Sequence, residues 1–431
     1  MHQDHTAPTT SIFERRESEA RSYCRGMSAT FSTARGSEMF DDTGRGWIDF
    51  LAGCSSLNYG HNDPDMKQAL IDHISDDGIA HGLDLHTEAK AAFLEAFEDH
   101  ILEPRGMDHR VMFTGPTGAS AVEAAMKLAR KATGRTNIIA FTNGFHGVTA
   151  GALAATGNGY HRGGAGMTLH GVTRMPYDGY FGEQTDTADF LEAMLNDKSG
   201  GIDAPAAIIL ETVQGEGGLN AARPEWVKRV AKLAKDHGAL LIVDDIQAGC
   251  GRCGTFFSFE DMEVVPDIVT MAKSLSGFGL PMAMLLVRPE HDLFGPAEHN
   301  GTFRGNTHAF VTARVAIEKF WADDGFQKDL ADKAALIHDR LEDLAAMVPA
   351  GRVKGRGLMQ GVDVSSGELA SEICALAYDM GLIIETSGNE DQLVKVLAPL
   401  TTSDEALRKG FEILLKAAED VLSDTTKMAA E

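Results

Sequence analysis

Between Val111 and Val287 short apolar β-type runs alternate with helical patterns, and no other feature of the chain limits its fold so tightly. The runs are Val111 to Phe113, Asn137 to Phe141, Ala206 to Leu210, Ala239 to Val243, Ile268 to Met271 and Met282 to Val287. Strands that are apolar along their whole length are buried on both faces. The rhythm therefore predicts an α/β fold with a mostly parallel, mixed sheet covered by helices. Ser120 to Thr133 carries Val122, Ala125, Met126 and Ala129 on one face and Lys127, Arg130 and Lys131 elsewhere, as a covering helix should. Ser120 and Glu123 have capping-box spacing at its start. The glycine-rich stretch Gly157 to Gly166 reads as a loop.

After about Asn306 the pattern changes to long helical stretches, Ala309 to Trp321 and Phe326 to Met347, then a strand-like run Gly357 to Val364 and a helix from Glu368. This predicts a smaller α+β domain. Met39 to Phe40 and Gly46 to Leu51 read as hairpin strands around the turn Asp41-Asp42-Thr43-Gly44, and they are expected to pack with the C-terminal part. The expected organisation is an N-terminal segment 1–60 joined to the small domain, a large domain 61–308, and a C-terminal small domain 309–431. The small domain is thus built from both chain ends.

The 39 Lys and Arg residues against 63 Asp and Glu leave a net charge of −24, which repels nucleic acid and anionic lipid. Neither nucleic acid nor membrane is an expected partner. Five cysteines, odd in number and scattered, do not form a disulfide framework. Met1 to Thr10 has no apolar core and no run of about 18 apolar residues follows, so a cytoplasmic protein is expected.

Asp244 and Asp245 directly follow the apolar run Ala239 to Val243, at the carboxyl end of a strand, where open α/β sheets build their sites. A buried carboxylate needs a cationic partner, and a protonated pyridinium nitrogen is one. Lys273 follows the next apolar run; apolar neighbours lower an amine pKa, as Schiff-base chemistry requires. Phe113 to Glu123 joins a strand to a helix through small residues whose amides could hold a phosphate, or simply form a capped turn. It is neither a Walker loop nor a dinucleotide fingerprint. Phe145, before His146 and Gly147, could stack on a flat cofactor, and Gln247 could hydrogen-bond a cofactor oxygen. No residues are singled out as metal ligands. Cys250-Gly-Arg-Cys253 has thiol or zinc spacing, but no second Cys or His pair lies nearby.

These residues, in this order, resemble the class III aminotransferases of pyridoxal-phosphate fold type I over nearly the whole chain. The similarity runs through Gly46 to His61, Thr117 to Ala125, Phe145 to Gly147, Glu211 to Gly217 (ETVQGEG), Leu241 to Gly254 and Met271 to Pro281. The resemblance implies pyridoxal 5'-phosphate as cofactor. It implies that Lys273 binds the cofactor aldehyde and acts as the base, and that Asp244 pairs with the ring nitrogen. Gln247 is implied at the phenolic oxygen, Gly118 and Ala119 at the phosphate, and Phe145 and His146 at the ring. Thr302 matches a family threonine that reaches the phosphate of the neighbouring subunit, which implies a homodimer as the minimum unit and leaves larger homo-oligomers open. Amino acids and keto or aldehyde compounds are the implied substrates, with Glu211, Glu216 and Lys395 as substrate-binding residues.

Gly159 to Arg162, Met175 to Tyr180, Ser274 to Met282 and Glu298 to Val311 are similar to a subgroup of the family that serves ectoine synthesis. That similarity implies amino transfer from L-glutamate to L-aspartate 4-semialdehyde. Another ω-aminotransferase specificity, or an aminomutase on the same fold, stays open. Two positions depart from the family pattern. Lys395 stands where many members have arginine, and a lysine lacks the bidentate fork. A Glu216–Lys395 pair is therefore expected as the switch between two kinds of substrate. Val148 stands where arginine often follows Phe-His-Gly, so Arg162, Arg174 and Arg304 become candidates for the carboxylate anchor.

Overall fold

A computed structural model describes residues 11–428, with side-chain environments through residue 423; the polar stretch Met1 to Thr10 lies outside the described residues. Its centre is a seven-stranded sheet in the order Arg110–Phe113, Met284–Val287, Ile268–Met271, Leu240–Asp244, Pro205–Leu210, Asn137–Phe141, Val172–Met175. Met284–Val287 alone runs antiparallel to its neighbours. Every other contact is parallel.

The alternation of side chains along these strands explains their uniformly apolar sequences. Ile138 and Ala140 pack with Ile209, Ile242 and Leu285 under the helix Gly118–Thr133. Ile139 and Phe141 face the other way, with Ile208, Leu241 and Val243, against Trp226, Val227 and Val230 of the helix Pro224–Asp236. Burying each such large side chain contributes about 1.5–3 kcal/mol, so both faces hold their helices firmly.

The two chain ends meet. Strands Phe31–Arg35, Glu38–Asp41 and Gly46–Asp49 form an antiparallel meander, and Leu382–Ile383 adds in parallel to Gly46–Asp49. A second four-stranded sheet, all antiparallel, takes the order Arg352–Arg356, Met359–Asp363, Leu393–Val396, Glu385–Ser387. The expected strand Gly357 to Val364 is in fact the second arm of a hairpin: Gly357 adopts φ 63° in a two-residue loop between the paired Arg356 and Met359. Gly157 to Gly166 is not wholly loop either, because Asn158 accepts from the amides of Tyr160 and His161 and starts the short helix Gly159–Gly163. No helix among the described residues is long and apolar enough to cross a membrane.

Candidate active site

The loops leaving the carboxyl ends of the central strands enclose a cavity of about 330 Å³. Asp244 ends its strand there, 4% exposed. One carboxylate oxygen is 2.7 Å from His146 Nδ1; the other accepts from Thr270 Oγ1 at 3.0 Å and from the Ile246 amide at 3.3 Å. Burial disfavours the imidazolium, but the Asp244 carboxylate overrides it and raises the pKa of His146. Asp245 is also buried but does not line the cavity. It accepts from the Ser258 amide and hydroxyl, and burial pushes its carboxyl up to about 7.

Lys273 follows Ile268–Met271 and lines the same cavity. Its surroundings disfavour the ammonium, so its pKa is lowered. Its backbone sits at φ 50°, a left-handed conformation that costs a side-chain-bearing residue about 1–2 kcal/mol. The strain is held from both sides. Ser274 donates to the Ser55 carbonyl at 2.7 Å, and Thr312 donates to the Ser276 carbonyl at 2.7 Å.

Across the cavity the helix Gly118–Thr133 presents its N-terminus. Thr117, not Ser120, is the N-cap, its hydroxyl accepting from the Ser120 amide at 3.2 Å. Glu123 serves the next helix instead. One of its oxygens accepts from Thr149 Oγ1 and the amides of Gly151 and Ala152, at the start of Ala150–Ala155. Gly118 and Ala119 line the cavity, and their amides find no acceptor among the described residues. A Cβ on Gly118 would lie 3.0 Å from Ile246 Cδ1, a tight contact that the Ile246 side chain would have to yield to.

Phe145 lines the cavity, its amide donating to Glu211 Oε1 at 2.9 Å. Glu211 Oε2 accepts from the Gly215 amide at 3.3 Å, and burial raises this carboxyl to about 7. Glu211 itself lines the cavity while its carboxylate accepts from the Phe145 and Gly215 backbone. Gln247 also lines the cavity, and its amide nitrogen donates to Glu216 Oε1 at 3.0 Å and the Cys54 carbonyl at 3.3 Å.

Lys395 does not line the cavity but lies buried behind Glu216, which does. Its side chain is 0% exposed and touches Glu216 Oε1 at 3.1 Å and Glu385 Oε1 at 2.7 Å. Burial works against its charge, and the two carboxylates override that and raise its pKa. Glu216 is likewise opposed by burial yet held at about 2 by Lys395 and Lys273. Glu385 escaped sequence reasoning because it reaches Lys395 only through cross-strand pairing in the second four-stranded sheet. Beside it, Ala52, Gly53, Cys54 and Ser55 all adopt φ between 47° and 67°, a left-handed turn pinned by Asp49, which accepts from the Leu51 and Ala52 amides. Tyr23 Oη lies 2.7 Å from Cys54 Sγ on its outer side.

The remaining candidates divide. Arg162 and Arg174 are spent on the carbonyls of Ala154 and Thr156, Arg304 pairs with Asp84, and none of the three lines the cavity. Thr302 is exposed and outside the cavity of its own chain. Gly279, Leu280, Pro281 and Met282, which seemed marks of a subgroup only, form part of the wall, because the chain enters its strand only at Met284. Cys250 and Cys253 are buried, and burial pushes Cys253 up to about 11, the opposite of a reactive thiolate.

A lysine on a strained turn, a carboxylate at a strand end and a helix N-terminus around one cavity define a fold type I pyridoxal-phosphate site. Residues 21–418 match the family "Aminotransferase class-III", and the chain belongs to it. It is 54% identical to the diaminobutyrate-2-oxoglutarate transaminase of Halalkalibacterium halodurans, across 94% of this chain and 95% of that protein. The enzyme of that name from Vibrio cholerae is 53% identical, across 94% and 98%. Among solved structures, ornithine aminotransferase from Toxoplasma gondii superposes with a TM-score of 0.83 at 26% identity, covering 96% of this chain and 94% of that one.

The cofactor of this class is pyridoxal 5'-phosphate, and the residues present fit it. The unpaired amides of Gly118 and Ala119 suit a phosphate, Asp244 suits a protonated ring nitrogen, and Lys273 lines the space between.

Proposed function

We propose that this enzyme moves the amino group of L-glutamate to L-aspartate 4-semialdehyde, giving L-2,4-diaminobutyrate and 2-oxoglutarate. The chemistry is carried by Lys273 and Asp244 on one cavity, with Lys395 paired to Glu216 on its wall. The choice of substrates is supported by relatives above 50% identity over nearly the full chain, named diaminobutyrate-2-oxoglutarate transaminase.

When bound, pyridoxal phosphate supplies an aldehyde for the amino group and a ring that takes up the charge left by a departing α-proton. The chain supplies the rest. The Gly118 and Ala119 amides would hold the phosphate, Phe145 would cover the ring, and Gln247 would hydrogen-bond the phenolic oxygen. Asp244, fixed by His146 and Thr270, keeps a proton on the ring nitrogen. Lys273 would hold the aldehyde at rest and, once released by the incoming amine, would serve as the base that takes the α-proton and gives it back. Burial lowers its pKa and so favours the free amine over the ammonium. L-Glutamate would place its α-carboxylate on Lys395, displacing Glu216, and Glu216 would pair with Lys395 again when an ω-amine is bound. The second substrate runs the same steps in reverse.

Thr302 stands exposed on its own chain, and in this reading it completes the phosphate site of a second copy; the working unit is a homodimer. Visible absorption of the purified protein tests the whole. Bleaching by L-glutamate and by L-2,4-diaminobutyrate, reversed by 2-oxoglutarate or the semialdehyde, is expected. Bleaching by L-glutamate alone overturns the assigned partner, and no band after adding pyridoxal phosphate overturns the site.

A further inference from the structure

The cofactor cavity leaves part of each proposed amino donor without a partner. In L-glutamate reacting through its α-amine, and in 2,4-diaminobutyrate reacting through its terminal amine, the third carbon along from the reacting carbon is a carboxylate. Among the described residues Lys273 is the only Lys or Arg on the wall of that cavity. A second cavity of about 430 Å³ adjoins it, and Phe145 and Glu216 belong to the walls of both. A substrate chain that leaves the cofactor between those two side chains enters the second cavity.

The polar groups there are of two kinds. Glu216 is spent on Lys395 and Gln247, and Ser387 donates to the Gly215 carbonyl at 2.8 Å. Asn143, His161 and Asp391 also line this cavity, and their side chains make no hydrogen bond or ion pair among the described residues. Their positions are nevertheless fixed. Asn143 adopts φ 61° and is clasped by two glycines: a Cβ on Gly217 would run into the Asn143 carbonyl, and one on Gly157 would lie 3.1 Å from its amide nitrogen. His161, in the subgroup-like stretch Gly159 to Arg162, stands edge-on to Phe145 with ring centroids 5.4 Å apart. Asp391 adopts φ 54°, and its amide donates to the Gly388 carbonyl at 3.3 Å. Constrained backbone that ends in polar side chains with nothing to hold fits a ligand site.

The chemistry of the three groups matches the far ends of the two amino donors. An amide and an imidazole donate hydrogen bonds to a carboxylate, and an aspartate accepts them from an ammonium. The far end of L-glutamate is a bare carboxylate, whereas that of the diamino acid is a carboxylate beside an ammonium. With no Lys or Arg on this wall among the described residues, Asp391 favours the zwitterion.

Resting on the function proposed above, we infer that the second cavity receives the far end of the substrate: Asn143 and His161 bind the carboxylate that both amino donors carry, and Asp391 binds the ammonium that only the diamino acid has.

The test is single-turnover bleaching of the wild-type holoenzyme, His161→Phe and Asp391→Asn over a range of L-glutamate and 2,4-diaminobutyrate concentrations. His161→Phe keeps the ring against Phe145 and removes the donor. Its half-saturating concentration is expected to rise about tenfold for both amines, as loss of a hydrogen bond to a charged group implies, with the change falling there rather than on the limiting rate. In Asp391→Asn the half-saturating concentration rises about fivefold more for diaminobutyrate than for L-glutamate, as loss of a solvent-facing ion pair implies. Asn143→Gly suits the left-handed backbone and replaces the His161 variant if that does not fold. Unchanged half-saturation in the His161 and Asn143 variants, or an Asp391→Asn effect equal for the two amines, overturns the inference and leaves the transaminase reading intact. A wild type bleached by L-glutamate but not by diaminobutyrate overturns both.

Discussion

His146 Nδ1 lies 2.7 Å from Asp244 Oδ2, joining two motifs 98 residues apart in the chain. Both side chains are buried, so the imidazole fixes the direction of the carboxylate and shares its charge. His146→Phe keeps a ring in the space and removes the donor. The dissociation constant for pyridoxal phosphate is expected to rise about tenfold, equivalent to about 1.4 kcal/mol. Titration of cofactor-free protein, followed by absorbance, measures it. An unchanged constant would mean that His146 merely fills space.

Lys273 has two duties, holding the aldehyde and moving the proton, and among the described residues no other lysine lines the cavity; Lys395 lies behind Glu216, clamped by two carboxylates. Lys273→Ala is therefore expected to lower turnover by at least about 1,000-fold. Stopped-flow absorbance with L-glutamate reads the proton-transfer step directly. An alanine variant with near-normal turnover would remove the basis for the assignment.

What was readable in the sequence is whatever lies close along the chain. The strand ends at Asp244 and Lys273, the turn before Gly118, and the position of Phe145 follow from apolar runs and their punctuation, and the structure puts all four on one cavity. The misreadings share a different cause. Ser120 and Glu123 have capping-box spacing, but Thr117 takes the cap, and Glu123 serves a helix that begins at Ala150, a partnership fixed by tertiary packing. Glu385 is invisible for the same reason: only the register of its strand against Leu393–Val396 brings it to Lys395.

Thr302 tests the proposed dimer. Its side chain lies outside the cavity of its own chain, next to Phe303, which is 67% exposed, an apolar surface that a second copy would cover. Thr302→Val preserves shape and removes the hydroxyl. We expect sedimentation to show an intact dimer while affinity for pyridoxal phosphate falls about tenfold, the loss of one hydrogen bond to a charged group. A monomeric wild type with full activity would contradict the shared site, and an unchanged affinity in the variant would remove Thr302 from it.

Asp245 gives a prediction for stability against pH. Its carboxyl titrates near 3.8 in an ordinary setting and at about 7 in the fold, because burial disfavours the anion more than the Ser258 amide and hydroxyl favour it. Between about pH 4 and pH 7 the folded chain holds a proton at this site that the unfolded chain has lost. Folding stability from this group therefore falls as pH rises through that window, by up to about 1.4 kcal/mol per pH unit, and levels off above it. Asp245→Asn keeps the shape and never ionises. The variant is expected to melt higher than wild type at pH 8, with the difference shrinking towards zero at pH 4. Asp244 occupies the neighbouring position but meets His146, so removing its charge offers no such gain. Calorimetric melting of both proteins across that range decides the matter: a difference that grows as pH falls would mean that Asp245 is ionised and paired in the fold.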